Sequence, residues 1–320
     1  MKNNTVLFAF LAATVFAGTV LTACASRPEP VRQRPDIHGL ISRVEYGGNV
    51  AYVFGSMHFG RADWFPLNPA VEAAMARADV FFFEIDMMDF IIPPPGLAEH
   101  LAAIQQLPPG VTLKDVLPAD IFQNFVAGLE TFPNVTYEMV ADMTPVAALL
   151  AITAEEIIPM LGIEPQYSVD TYVFMFALTN GRAVAGLTDT FYHFSLLLDV
   201  DMAIQPYALA DFADWQTTLD ETLDLQLVEA YEAQDLNMLR RIFSDSFGAM
   251  DTPYGRYLVE VISEYRGHIF ANGIARLLRE TTEPTTFFVT VGIGHLAGGD
   301  FGHVFAHLGN MGFDVVPLWN

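Results

Sequence analysis

Cysteine is almost missing from this chain: Cys24 is the only one in 320 residues. A lone thiol closes no internal disulfide, so a disulfide framework and an all-cysteine zinc site are both excluded. Basic residues are scarce too, 15 Lys and Arg against 38 Asp and Glu, for a formal net charge of -23. Such a surface repels phosphate backbones and anionic headgroups, so no nucleic-acid partner is expected. Beyond the N-terminal segment every apolar stretch is broken by charges or prolines before it reaches the length of a membrane span. There is no Gly-x-Ser-x-Gly elbow and no phosphate-binding glycine loop, which removes elbow-type serine hydrolases and P-loop enzymes from consideration.

What is present is strongly apolar: 52% of the residues are hydrophobic, ample for a buried core. Residues 1–23, MKNNTVLFAFLAATVFAGTVLTA, read as a secretory signal, with one lysine, an apolar stretch and then small residues. Leu21-Thr22-Ala23-Cys24 resembles the lipobox of bacterial lipoproteins, which implies cleavage before Cys24 and lipidation of that cysteine. The expected mature protein is an exported lipoprotein held to a membrane through Cys24 and facing the extracytoplasmic side. Removing the signal takes away one lysine and no acid, moving the formal charge from -23 to -24. Residues 24–36 carry the lipidated cysteine and a proline-rich, charged tether, and a single domain of residues 37–320 follows.

Four short apolar runs read as buried strands: AYVF (51–54), VFFFEI (80–85), AVAGL (183–187) and TFFVTVG (286–292), with FDVVPL closing the chain. Helical spacing marks 69–78, 144–158, 219–234 and 254–280. The fold class is therefore α/β: a central sheet of short buried strands with helices around it and a large helical insertion between the second and later strands. Pro69 suits the first turn of a crossover helix. The acids Asp211, Asp214, Asp220, Glu221 and Asp224 read as a solvated helix face.

Three of these runs deliver a polar group at or near their C-terminal ends, where ligands bind in open α/β sheets. They are His58 in Gly55-Ser56-Met57-His58, Glu84 in Phe81-Phe82-Phe83-Glu84-Ile85, and His295 in Gly292-Ile293-Gly294-His295. A glutamate among three phenylalanines needs a cation, a proton or strong donors, unless its strand is an edge facing water. Two imidazoles and a carboxylate suit Zn, Mn, Co or Fe, with positions left for water and substrate. Either all three hold the ion, or the histidines hold it and Glu84 is the general base. Arg266 either faces a developing oxyanion or a substrate carboxylate, or forms a plain surface salt bridge. Asp86, two residues past Glu84, falls on the same strand face and is placed to support it. His303 and His307 stand at i and i+4, a zinc-site spacing without the accompanying glutamate, and His303 is close enough to the second motif to reach substrate. His38, His100, His193 and His268 have no such constellation.

Taken in order, these blocks resemble the TraB, GumN and Tiki family of hydrolase-like proteins: FGSMH, LNPAVEAAMARADVFFFEID, GRAVAGL, and VGIGHLAGGDFG with GFDV. The resemblance implies a metal-dependent peptidase activated by Mn or Co, whose site is His58, Glu84 and His295; Zn is a candidate from the donor set alone. Two positions depart from the family pattern. A glutamate usually follows GRAVAGL, where this chain has Thr188-Asp189, and the usual Arg-Asn pair is Arg266-Gly267. The alternatives are a binding lipoprotein for a metal, a haem or a small ligand, an interaction protein that keeps the motifs for packing, and metal-free ester hydrolysis with His58 as base.

Overall fold

The computed structural model describes residues 40–158, 162–210, 223–249, 252–297 and 303–318. The leader, Cys24, the tether and the acidic run from Asp211 to Glu221 lie outside them. Among the described residues no helix is long and apolar enough to cross a membrane.

Six strands form one sheet: β1 (Ile41–Tyr46), β2 (Asn49–Ser56), β3 (Val80–Phe83), β4 (Ala183–Gly186), β5 (Thr286–Gly292) and β6 (Val315–Pro317). Their order is β4-β3-β5-β2-β1-β6. The four strands β4, β3, β5 and β2 run parallel, while β1 pairs antiparallel with β2 and β6. Parallel strands are covered on both faces, which is why β2, β3 and β5 read as nearly unbroken apolar runs. Phe54, Phe288 and Phe81 lie across β2, β5 and β3, with ring centroids 5.6 and 5.5 Å apart in succession. Each such pair adds about 0.5–1.5 kcal/mol beyond its burial, so the rings favour the inserted position of β5.

That insertion builds the site. The last long strand enters between the first two of the parallel set, with Ser56 opposite Gly292 and Phe82 opposite Val289. The C-terminal ends of three strands far apart in sequence thereby become neighbours. β3 is an interior strand, so Glu84 does not face water from an edge; it is only 7% exposed. The strand also stops at Phe83, which leaves Glu84 just beyond it and takes Asp86 off the strand face expected for it. Asp86 instead caps the turn Met87–Phe90, its carboxylate accepting from the Met88 N–H at 2.9 Å.

The longer helices are α1 (Pro69–Arg77), α2 (Leu97–Gln105), α3 (Ala119–Leu129), α4 (Pro145–Ile152), α5 (Val169–Thr179), α6 (Thr190–Leu198), α7 (Leu223–Glu232), α8 (Leu236–Ala249), α9 (Arg266–Glu280) and α10 (Val304–Asn310). α1 links β2 to β3, with Pro69 in its first turn and the Asn68 side chain accepting from the Ala70 N–H. The insertion predicted from sequence has its own core, in which Leu97, Ile104, Phe125, Val146, Ile152 and Leu198 are buried. α6 serves both halves, burying Leu198 in that helical core and His193 near the sheet.

Residues 254–280 were expected as one helix. Between Tyr257 and Arg266 the structure has a wide i→i+5 stretch, Leu258–Tyr265, a rare form that recurs at functional sites. α9 begins directly after it. Arg266, Phe270, Ile274 and Leu278 are buried along one stripe of α9, so the arginine occupies a core-facing position.

The first motif glycine, Gly55, has a packing reason. A Cβ there would stand 2.6 Å from Ile293 Cδ1 and 3.0 Å from Leu296 Cδ1, both in the short helix Ile293–Ala297 that carries His295. The bare backbone of one motif is the seat for the helix of the other.

Candidate functional site

Glu84 lies at the centre. Its Oε2 is ion-paired with Arg266 Nη2 and its Oε1 accepts from the Gly292 N–H at 2.7 Å. Arg266 also donates to His193 Nδ1 at 3.1 Å. His295 Nε2 is 3.7 Å from Glu84 Oε1, and its ring meets Phe270 edge to face at 4.9 Å. The His295 Nδ1 atom is buried without a hydrogen-bond partner. On the other side, His58 Nδ1 is 3.0 Å from Asp170 Oδ2.

The second motif glycine leaves a cradle among these groups. A Cβ on Gly292 would sit 3.2 Å from Glu84 Oε1, 3.6 Å from His58 Nε2 and 3.8 Å from His295 Cδ2. One point beside Gly292 is thus bracketed by a carboxylate oxygen, an imidazole nitrogen and the edge of a second imidazole. The fold brings His58, Glu84 and His295 to one point.

Burial pushes the Glu84 carboxyl up, but Arg266, followed by His295, His58 and His193, outweighs it and holds the group well below the usual carboxylate range. Asp170 raises His58 to about 9 against the opposing effect of burial. That ring is 57% exposed, so water screens part of the attraction. Burial lowers His295 to about 4 and, with Arg266 beside it, His193 to about 3. At neutral pH the site holds two ion pairs, Glu84 with Arg266 and Asp170 with His58, and two neutral histidines.

These shifts fix how the metal-free chain responds to pH. An unfolded histidine takes a proton near about 6.5. His193 and His295 resist protonation until lower pH, so their contribution is whole above about pH 6.5 and is lost as pH falls toward about 4 and below. Glu84 acts in the same direction at lower pH still. His58 acts oppositely: its contribution is whole below about pH 6.5 and fades as pH rises through about 9. Denaturant midpoints followed by circular dichroism are expected to fall steeply on the acid side and mildly on the alkaline side; a flat acid limb would contradict the buried neutral histidines.

Residues 40–317 match the family model described as TraB/PrgY/gumN family. The chain belongs to that family. No curated protein and no solved structure matches it. At the two departures from the family pattern, the structure gives a concrete picture. Thr188 binds the Glu84 carbonyl twice, through its N–H at 3.0 Å and its Oγ1 at 2.6 Å, so it steadies the backbone of the central glutamate. Asp189 caps α6 through the Tyr192 N–H, and Gly267 is buried in α9.

Several sequence expectations are corrected. The Arg266 guanidinium lies in the interior and bonds to Glu84 and His193, so its ion pair is a buried anchor and not a surface salt bridge. His303 precedes α10 and caps it, accepting from the Ala306 N–H at 3.2 Å, so it does not share a helical face with His307. His307 stands edge to face with His268 at 5.0 Å. His193, read as lacking a constellation, belongs to the site. Asp170 was missed altogether. Their signal was weaker than that of Glu84: each lies among polar and aromatic residues, YSVDTYVF for Asp170 and TFYHFSLLL for His193, not in an unbroken apolar run.

The divalent ion implied by the family resemblance fits these residues in donor chemistry. The Gly292 cradle has a carboxylate oxygen and His58 Nε2 on its wall, and a carboxylate on His58 Nδ1 is the usual support for a metal-binding imidazole. Among the described residues no three His, Cys, Asp or Glu side chains are already gathered closely enough to hold an ion, so the donors bracket the point without closing on it.

Proposed function

We propose that this family member is an exported, lipid-anchored, divalent-metal-dependent hydrolase, a peptidase in class. The observation that supports it most directly is the cradle at Gly292, bracketed by His58, Glu84 and His295. A divalent ion held there by those three residues, Mn, Co or Zn, would lower the pKa of a water and polarise a scissile carbonyl.

The chain's own residues prepare this in definite ways. Arg266 and the Gly292 N–H fix both oxygens of Glu84, so the carboxylate is oriented before any ligand arrives. Because Glu84 is held far below the usual range, it is a weak proton acceptor, which favours the anchoring role over the general-base role. His295 is neutral and ready to donate a lone pair. His58 carries a proton on each nitrogen at neutral pH and must release the one on Nε2 to bind, so ion affinity rises with pH toward about 9. The Phe270 ring beside both His295 and Arg266 keeps the inner wall dry, which strengthens the charges it encloses.

The test is a panel of fluorogenic peptides incubated with the full chain in detergent, with Mn, Co or Zn and with chelator. Cleavage that requires the ion and disappears in Glu84→Gln is expected. Retention of a stoichiometric ligand with no turnover would replace this reading with the binding lipoprotein, and turnover that survives chelation would replace it with metal-free hydrolysis.

A further inference from the structure

A buried ionised carboxylate is costly unless donors surround it, and Asp170 is 6% exposed in the first turn of α5. Both of its oxygens are committed to the segment leaving β2. Oδ1 accepts from Ser56 Oγ at 2.8 Å, and Oδ2 faces His58 Nδ1 at 3.0 Å. Between these two bonds the Val169 N–H donates to the Met57 carbonyl at 3.0 Å. The start of α5 therefore staples residues 56, 57 and 58 in succession.

The consequence falls on the histidine ring. More than half of the His58 side chain is in solvent, so packing does not hold it in one orientation. With Nδ1 turned to Asp170, Nε2 is the nitrogen left for the cradle, and it is the atom 3.6 Å from the Cβ position of Gly292. Among the described residues, Glu84 and Arg266, the other charged groups of the site, make no hydrogen bond to this ring.

The geometry points to Asp170 as the positioning residue of the site: it holds the Nδ1–H of His58 and presents Nε2 to the cradle. This rests on the metallohydrolase reading and deepens it. Outer carboxylates of this kind fix the tautomer and orientation of a metal-binding imidazole, and removing one lowers metal affinity about 10–100-fold. Ser56, bonded to the other oxygen, belongs to the staple alone.

Two readouts on the full chain test the assignment: zinc affinity by calorimetry, and nitrogen-15 spectra of the His58 ring in the metal-free protein from about pH 6 to about pH 10. In the parent and in Ser56→Ala the last ring proton is expected to stay on Nδ1. In Asp170→Ala that preference disappears and zinc affinity falls about 10–100-fold. Should Asp170→Ala fail to fold, Asp170→Asn keeps an acceptor oxygen without the charge and is expected to retain the tautomer with weakened zinc binding. A folded Asp170→Ala with the parental tautomer, or either Asp170 variant with parental zinc affinity, would overturn the proposal. A parent that binds no zinc, manganese or cobalt sinks the metallohydrolase reading instead, while the tautomer comparison still decides whether Asp170 sets the ring.

Discussion

Arg266→Ala is expected to lower the unfolding free energy by about 3–5 kcal/mol, the range for breaking a buried ion pair by removing one partner. Arg266 and Glu84 are 5% and 7% exposed, so neither is compensated by water when the other is lost. The variant leaves the buried carboxylate with the Gly292 N–H but without its counter-charge, and takes the donor from His193 Nδ1 as well. Replacing both partners, as Glu84→Met with Arg266→Met, removes the two charges together and recovers most of the loss. Chemical denaturation of the single and double variants measures this. A single variant within about 1 kcal/mol of the parent would mean that the pair behaves as a surface one.

The two motif glycines are expected to fail in different ways. In Gly55→Ala the new methyl stands 2.6 Å from Ile293 Cδ1 and 3.0 Å from Leu296 Cδ1, so those buried side-chain tips must repack and stability falls by about 1–3 kcal/mol. In Gly292→Ala the methyl enters the cradle, 3.2 Å from Glu84 Oε1 and 3.6 Å from His58 Nε2. A shift of a few tenths of an ångström by Glu84 admits it, so the fold survives while metal affinity drops on the order of 10–100-fold. Melting curves and calorimetry on the pair separate packing from binding. Equal loss of stability in both, with no specific loss of binding in Gly292→Ala, would favour the packing-only reading of the motifs.

How much of this was legible in the sequence depends on the range of the interactions involved. β2, β3 and β5 were readable because a strand covered on both faces must be apolar throughout. α1 was readable from Asn68 and Pro69, whose effects are local. β1 was not, because ISRVEY mixes buried Ser42 with charged Arg43 and Glu45 and follows neither strand pattern cleanly. Strand order was out of reach, since the insertion of β5 between β2 and β3 is a pairing across more than two hundred residues. At the site the motif residues were visible as polar groups at strand ends, whereas Asp170 and His193 come from helices and reach it only through tertiary packing. The buried position of Arg266 was hidden for a related reason. Its place on the buried stripe of α9 shows only when the helix is seen to restart after the wide turn at Leu258–Tyr265.

The most direct measurement is equilibrium binding of Mn, Co and Zn to the full chain by calorimetry, run beside His58→Ala, Glu84→Gln and His295→Ala with folding checked by circular dichroism. The account predicts one ion per parent chain, an affinity that rises with pH, and loss of that ion in each folded variant. No binding by the parent, or binding that the three variants leave unchanged, would contradict it.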